Sequence, residues 1–342
     1  MAVTLQEVRS WNASLSSHHE SLTAVFVGAT TGIGSETLLA FAKNIPKPKI
    51  YIIGRSERTS QPLLTSLQSV NPNGTYIFLE SQISTLKNVT TVCNTIKSRE
   101  SSINLLSLSP GYISFRGYEP TPDGLDTSMA LRYYARIAFI QSLLPLLQTS
   151  ASSGSFTRIL NILAGGQESA SLNTSDLSLQ SPGAYGIGPA ATHSATMLTL
   201  SLHRLALQNP SISFIHTFPG LVLTPTFQRG MNPWLKTVFK WILNPILGLF
   251  AMTQQVSGEW HLYYATAGRY PSAEEGGARA EQGRAETVEM GLDGKSGSGI
   301  YLVEAQKGRA VEGKAVKELE DKGAGEVVRR HTEEVFEKAG VV

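Results

Sequence analysis

Three glycines stand where the backbone could bind a phosphate. They occur in AVFVGATTGIGSETLLAFA, directly after a strand-like apolar run and before a helical pattern. Because glycine has no Cβ, the turn can be tight and its N–H groups can approach a diphosphate at the positive end of the following helix. An ordinary glycine-rich turn would share this spacing, but its place at the first strand–helix unit favours dinucleotide binding. The loop contacts that we predict are Gly28, Thr30, Thr31, Gly32, Ile33 and Gly34.

The end of the second predicted strand bears on the choice of cofactor. In IIGRSERT, Gly54 stands where an acidic residue would hold a free ribose 2′-hydroxyl, and Arg55 and Arg58 follow it. Arginine pairs with a 2′-phosphate through charge-assisted hydrogen bonds. These arginines could instead be solvated loop residues. The pattern favours NADP(H) over NAD(H), with Arg55 as the predicted contact.

The remaining pattern must supply the sheet that positions this loop. Short β-branched runs such as KIYIIG and INLLSLSP alternate with longer helical stretches. Strands that are apolar on both faces and separated by helices indicate a parallel sheet covered on both sides. We therefore predict an α/β protein with a Rossmann-like, doubly wound parallel sheet of about seven strands. The expected divisions are a polar N-terminal lead-in over 1–20, the nucleotide-binding domain over 21–270, a flexible, charged and glycine-rich insert over 271–298, and a last strand with a C-terminal helix over 299–342.

Composition narrows the classes of partner. The formal net charge is only +2, which gives no reason to expect a nucleic-acid partner. A single cysteine, Cys93, excludes a disulfide framework and a thiolate metal cluster, and we predict no metal site. The N-terminal segment lacks the apolar core of a signal peptide, so we expect a cytoplasmic protein. Lys236 and Lys240 interrupt the apolar stretch 232–253, which is expected not to span a membrane, while weak contact with a membrane surface stays open.

Four motifs carry a wider resemblance. They are GATTGIG, LSPG at 108–111, ILNILAG and FPGLVLT at 218–224, and each follows or ends a predicted strand. In these motifs the chain resembles the short-chain dehydrogenase/reductase family over roughly residues 22–270, with LSPG in place of the family's NNAG. It is further similar to a fungal branch whose members are often encoded beside secondary-metabolite genes. The resemblance implies cofactor contacts at Gln82, Ser109, Gly111, Pro219, Val222 and Thr224.

The resemblance fails at the residues that carry the family's chemistry. The family uses a tyrosine to transfer the substrate proton, a lysine to lower that tyrosine's pKa and hold the ribose, a serine to orient the carbonyl, and an asparagine to anchor a water. Tyr185 matches the tyrosine, but Pro189 stands at the lysine position. Ala164 stands at the serine position and Arg132 at the asparagine position. No lysine occurs from residue 98 to residue 235, so no shift of the alignment supplies one, and the tetrad is degenerate.

Two residues remain as catalytic candidates. Tyr185 is the first, and its alternative is a structural tyrosine on a loop before a helix that GIGPAA interrupts. His193 lies about two helical turns further on and could assist as a group that titrates near neutrality. Its alternative is a packing role. Arg132 and Arg136 are the other cations that could replace the lysine.

The altered tetrad bears on the direction of the reaction. A tyrosine with a pKa of about 10 is a poor base at neutral pH unless a cation stabilises its phenolate, but it can still donate a proton. We therefore predict an oxidoreductase that uses NADP(H) to reduce a carbonyl or activated alkene, in fungal secondary metabolism as the resemblance implies. The alternative is a non-redox protein on the same scaffold, an isomerase, a cyclase or a cofactor-sensing protein.

The resemblance also bears on substrate and assembly. It implies a lid over 225–253, where an apolar small-molecule substrate such as a terpenoid or polyketide intermediate would bind. Proteins of this family often pair through their long central helices, so a homo-oligomer is implied. The apolar lid residues are Met231, Trp234, Phe239, Trp241, Leu247 and Phe250.

Overall fold

A single sheet of eight strands organises the molecule. The computed structural model describes residues 3–112, 115–223, 234, 251–281 and 288–341. The strands are β1 Thr23–Val27, β2 Lys49–Gly54, β3 Thr75–Glu80, β4 Leu105–Leu108, β5 Arg158–Ile162, β6 Ser213–Thr217, β7 Ile300–Val303 and β8 Ala310–Val311. Their order in the sheet is β3-β2-β1-β4-β5-β6-β7-β8, and every pairing is parallel except that of β7 with β8. The predicted α/β sheet is confirmed, and the additional strand is a two-residue edge strand too short to give a sequence pattern.

Helices cover both faces of this sheet. The helices are α1 Leu5–His18, α2 Gly32–Asn44, α3 Glu57–Val70, α4 Leu86–Lys97, α5 Ala135–Ser152, α6 Ile187–Gln208, α7 Gln254–Thr266, α8 Ala273–Glu281, α9 Lys314–Asp321 and α10 Ala324–Ala339. One apolar core joins the sheet to α4, α5, α6, α9 and α10, and the other joins it to α1, α2, α3 and α7. Because both faces of the sheet are buried, the strands have continuous apolar runs rather than alternating ones. A helical turn at Thr127–Met129 and a π-helical turn at Ala130–Tyr134 lead directly into α5.

The N-terminal segment is a helix, so the prediction of a polar lead-in is wrong. Thr4 and Glu7 form a reciprocal capping box at the start of α1, which satisfies two backbone N–H groups. Val8 and Leu15 are fully buried in the core that contains α7. The Asn12 side chain donates a hydrogen bond to the Glu259 carbonyl, 2.9 Å away. Leu5 and Trp11 pack against the same core, so four apolar residues at helical spacing marked this helix among its many polar residues.

The stretch expected to be a flexible insert also contains ordered elements. Residues 273–281 form α8, and Gly276 in that helix packs against the backbone of Gly297. Residues 282–287 lie outside the described chain. Beyond β7, the chain contains a further short strand and two helices, α9 and α10, where the sequence predicted one helix.

The lid prediction falls mostly outside the described residues. Of the segment 225–253, the structure describes only Trp234, which is 65% exposed, and residues 251–253. Among the helices of the described ranges, none is both long and apolar enough to cross a bilayer. The predictions of a lid and of contact between 232–253 and a membrane surface stay predictions.

Candidate active site

The predicted cofactor residues come together at the carboxyl end of the sheet. They line a cavity of about 300 Å³ next to β1, where the strand order reverses between β2 and β4. Parallel sheets bind ligands at this reversal because the loops of neighbouring strands diverge there. Thr224 lies outside the described residues. The twelve other predicted contacts that line the cavity are Gly28, Thr30, Thr31, Gly32, Ile33, Gly34, Arg55, Gln82, Ser109, Gly111, Pro219 and Val222.

The glycine loop has the geometry that a diphosphate needs. Gly28 has a φ of +77°, and a Cβ there would lie 2.6 Å from the Pro110 Cα. A Cβ on Gly34 would lie 2.3 Å from the Ser109 Oγ. The helix α2 begins at Gly32, and its N-cap residue Thr31 makes no side-chain cap hydrogen bond, while its first turn carries no acidic residue. The amides of this turn are therefore available to an anion, and a nicotinamide dinucleotide fits the loop.

Arg55 lies at the end of β2, where the adenosine ribose of such a cofactor would bind. Its side chain is exposed and lines the cavity together with Ser81 and Gln82, which follow β3. Arg58, in the first turn of α3, is not among the lining residues. The structure thus separates the two arginines of IIGRSERT and leaves Arg55 as the one positioned at the cavity.

Two further arginines line the opposite part of the cavity. Arg136 is completely buried and donates hydrogen bonds to the carbonyls of Leu108 at 2.9 Å and Ile162 at 3.1 Å, so it ties the end of β4 to the end of β5. Arg132, one helical turn earlier, donates from Nε to the Ser194 Oγ at 2.8 Å. Burial lowers the pKa of Arg132 to about 10, so the group stays protonated at neutral pH. Burial, and then the charge of Arg132, lower the pKa of Arg136.

Tyr185 lies outside the cavity. It sits before α6, borders a small space of about 10 Å³ behind Arg132, and packs edge to face on Tyr118 with ring centroids 5.5 Å apart. The carboxylate of Asp126 lies near its hydroxyl. Burial raises the pKa of Tyr185, and the negative charge of Asp126 raises it further. This tyrosine is therefore a poor base, and it does not line the cavity.

His193 also points elsewhere, so the two predicted catalytic residues do not meet the predicted cofactor site. Its side chain is buried on α6, and its Nε2 accepts a hydrogen bond from the backbone N–H of Asn173, 3.4 Å away. Burial lowers its pKa, although the nearby Asp176 opposes this. In the part of the chain that is described, its Nδ1 has no partner. Neither its position nor its contacts support the predicted catalytic role.

The other tetrad positions carry no replacement for the missing groups. The Ala164 N–H donates to the Nε2 of His216 at 3.1 Å, and His216 in turn meets Thr199 and the buried carboxylate of Glu168. This cluster fixes the backbone after β5 and does not line the cavity. Pro189 is the third residue of α6 and is exposed. No lysine is found among the described residues that line the cavity.

Three of the hydroxyl groups at the cavity are already engaged. The Ser109 Oγ donates to the Val27 carbonyl at 3.2 Å, and the Tyr112 hydroxyl donates to the Glu119 carboxylate at 2.7 Å. Thr127 donates its hydroxyl to the Glu119 carbonyl at 2.7 Å. The cavity can therefore bind a dinucleotide and present positive charge from arginine, but the hydroxyl protons of Ser109, Tyr112 and Thr127 are directed to the protein.

Comparison with known proteins agrees with the fold. The chain matches no family model. It is 36% identical over 341 residues to oxidoreductase AN1596 of Emericella nidulans, covering 98% of this chain and 99% of that protein. It is 26% identical to the short-chain dehydrogenase/reductase SAT2 of Stachybotrys chartarum over 77% of each chain. The crystal structure of YwfH, an NADPH-dependent reductase involved in bacilysin biosynthesis, has a similar fold with a TM-score of 0.53 at 16% identity, over 72% of this chain and 92% of that one.

The glycine loop, the doubly wound sheet and these relatives agree. The chain is an oxidoreductase with a site for a nicotinamide cofactor, and it belongs to the short-chain dehydrogenase/reductase family, among its fungal members.

Proposed function

We propose that this protein is an NADP(H)-dependent reductase that reduces a carbonyl group or an activated alkene of a largely apolar small molecule. The observation that carries the proposal is the cavity at the strand-order reversal, where an uncapped glycine loop and Arg55 are positioned to bind the phosphates of one dinucleotide. Bound NADPH would supply the hydride, and solvent water would supply the proton that completes the reduction. The glycine loop would hold its diphosphate, and Arg55 would pair with its 2′-phosphate.

The choice of reduction over oxidation rests on the side chains at the cavity. Alcohol oxidation needs a base, and Tyr185 is unsuitable because its pKa is raised and it lies outside the cavity. Reduction needs positive charge near the oxygen that becomes negative, which Arg132 and Arg136 could supply. The net positive charge of this part of the cavity would stabilise the oxygen as the hydride arrives and so supports hydride transfer to a carbonyl or an activated alkene.

An apolar body for the substrate is supported by the described lining. Leu131, Leu163 and Val222 border the same end of the cavity as the two arginines. The apolar residues of the segment 225–253 follow directly in the sequence. We place this activity in fungal secondary metabolism, as the sequence resemblance implies, and a cytoplasmic location and no nucleic-acid partner remain part of this proposal.

A non-redox function on the same scaffold is the second candidate. Its support is specific: Ala164 and Pro189 replace the family's serine and lysine, and Tyr185 lies outside the cavity. Such a protein would bind NADPH without consuming it. A direct assay therefore separates the two candidates.

Cofactor binding is the first test. NADPH titration, followed by its fluorescence, should show saturable binding, and Arg55→Ala should weaken NADPH affinity about tenfold while NADH affinity changes little, because only NADPH carries the 2′-phosphate. Arg58→Ala removes the same charge outside the cavity and should leave both affinities unchanged. Equal loss of NADPH and NADH affinity in Arg55→Ala would contradict the preference for NADP(H).

Cofactor consumption is the second test. The absorbance of NADPH is followed with a panel of apolar aldehydes, ketones, quinones and enones. Oxidation of NADPH with at least one of them supports the reductase. Binding of NADPH with no oxidation across the panel favours the non-redox candidate.

A further inference from the structure

Arg132 and Arg136 place two positive charges side by side without a carboxylate. Within the described residues, neither arginine forms an ion pair. The buried carboxylate of Glu168 accepts its hydrogen bonds from Thr199 and His216. Burial lowers the pKa of His216, the Glu168 carboxylate opposes this, and the charges of Arg136 and Arg132 lower the pKa further.

The two guanidinium groups have different tasks. Arg136 donates to three backbone carbonyls at the ends of β4 and β5, which fixes its plane, and its buried Nε has no partner among the described atoms. Arg132 is fixed at one edge by Ser194, with only a long contact of 3.5 Å to the Ala191 carbonyl besides. A guanidinium carries five N–H donors. Arg132 therefore keeps donors for a ligand, and Arg136 strengthens the local positive charge.

An anionic group is the ligand that this arrangement fits. Removing a charge from water is costly unless an opposite charge or several hydrogen bonds compensate. Arg132 packs its Cγ against Gly111, where an added Cβ would lie 3.3 Å from it, so the guanidinium is held at the cavity wall. A fixed guanidinium matches a carboxylate because two parallel N–H donors meet its two oxygens.

We infer that Arg132, supported by Arg136, is the binding site for a carboxylate of the substrate. The inference rests on the proposed reductase and names the class of its substrate: an apolar small molecule that carries an acidic group. Arg136 contacts the ends of β4 and β5 and Arg132 contacts Ser194 of α6, whereas the glycine loop follows β1 and would bind the diphosphate through backbone amides. Arg132 would hold the substrate by its carboxylate and so orient its reducible bond, which makes it a positioning residue.

The test uses benzoate as the probe and benzamide as its neutral counterpart. Each is titrated by calorimetry into the protein alone and into its complex with NADP⁺. We expect saturable binding of benzoate in the millimolar range and binding of benzamide roughly tenfold weaker or worse, because only the carboxylate pairs with the guanidinium.

Variants of Arg132 test whether this side chain causes the preference for benzoate over benzamide. Arg132→Met should weaken benzoate about tenfold or more, while Arg132→Lys should recover part of the loss, because it keeps the charge but not the planar pair of donors. Arg58→Met removes a positive charge outside the cavity and should bind benzoate as the wild type does. Binding of 2′,5′-ADP, which reaches only the adenosine end, should be unchanged in Arg132→Met and shows that the variant is folded.

Three results would overturn the inference. The first is equal affinity for benzoate and benzamide, and the second is no saturable benzoate binding up to about 50 mM. The third is an Arg132→Met variant that loses NADP⁺ affinity but keeps benzoate affinity, which would assign Arg132 to the cofactor diphosphate. Failure of the proposed function is distinguishable, because there the wild type would either bind neither NADP⁺ nor 2′,5′-ADP or bind NADPH without oxidising it with any compound of the carbonyl panel.

Discussion

Tyr185 matches a catalytic residue in sequence yet lies outside the cavity, and the reason is a contact that no local pattern shows. Asp126 is 59 positions earlier in the chain and also caps the helical turn at Thr127–Met129 through the Met129 N–H, 2.9 Å away. Its carboxylate therefore has a fixed place, and the Tyr185 hydroxyl lies near it. The phenol acts as a structural link between the loop before α6 and the turn before α5.

This assignment predicts a specific result for Tyr185→Phe. Loss of the hydroxyl should lower the free energy of unfolding by about 1 kcal/mol, the usual net value of one hydrogen bond. NADPH turnover with any accepted carbonyl should stay within about threefold of the wild type, because the hydroxyl does not reach the cavity. Denaturant unfolding and steady-state kinetics measure the two effects. A turnover reduced by a hundredfold or so would return Tyr185 to the mechanism.

The glycine loop could be predicted from sequence, whereas the arginine pair could be predicted only in part. Backbone binding of a diphosphate depends on a strand, three glycines and a helix within about a dozen residues, so the pattern is local. Arg132 and Arg136 were recognised as cations that could replace a lysine, but their contacts with β4, β5 and Ser194 come from distant parts of the chain. Which of the two remains available to a ligand depends on those contacts.

At the scale of elements, the errors fall on helices that tertiary contacts stabilise. The sequence of α8, AEEGGARAE, contains two adjacent glycines, which are poor helix formers in isolation. Gly276 is buried against Gly297, whereas Gly277 is exposed on the other side. The composition of this segment, rich in glycine and charge, is typical of a loop. The structure instead requires the glycine at 276, because the backbone of α8 lies against the backbone at Gly297.

The adjacent glycines of α8 provide a matched pair of variants. In Gly276→Ala the new Cβ would lie 2.2 Å from the Gly297 carbonyl oxygen, so we expect a loss of roughly 1–3 kcal/mol in the free energy of unfolding. In Gly277→Ala the Cβ meets nothing within 4 Å, and we expect a gain of about 0.5–1 kcal/mol from the better helix former. Urea unfolding of both variants tests this, and equal effects of the same sign would contradict the packing of α8.

At the scale of the molecule, the C-terminal helices cover one face of the central pair α5 and α6. The Tyr133 hydroxyl, just before α5, lies 2.6 Å from the Thr332 Oγ1 of α10 and 2.9 Å from the Ser201 Oγ of α6. His203 of α6 meets Glu320 of α9 at 3.3 Å. The implied homo-oligomer stays a prediction, and pairing through these long helices would have to avoid the face that α9 and α10 occupy.

Buried histidines should make the free energy of unfolding of the protein depend on pH. Burial lowers the pKa of His261, in α7, from 6.5 to about 4. The contacts of the ring match its neutral form, because Nδ1 donates to the Ser257 carbonyl at 2.6 Å while Nε2 has no partner in the described chain. Burial also lowers the pKa values of His193, His216 and His331. In each case the folded protein favours the neutral ring.

The sign of the effect follows from these directions. Because the folded pKa of His261 lies below the unfolded value, the unfolded chain binds the proton more tightly, and stability falls as the pH drops below about 6.5 until it levels off below about 4. At pH of about 5, this one group should reduce the free energy of unfolding by roughly 2 kcal/mol relative to pH of about 7.5. Urea unfolding at the two pH values measures the loss. His261→Gln should be less stable than the wild type at the higher pH but should lose roughly 2 kcal/mol less on acidification. The control His18→Gln changes an exposed histidine and should retain the wild-type difference between the two pH values. An unchanged difference in His261→Gln would show that this ring is not the buried neutral group.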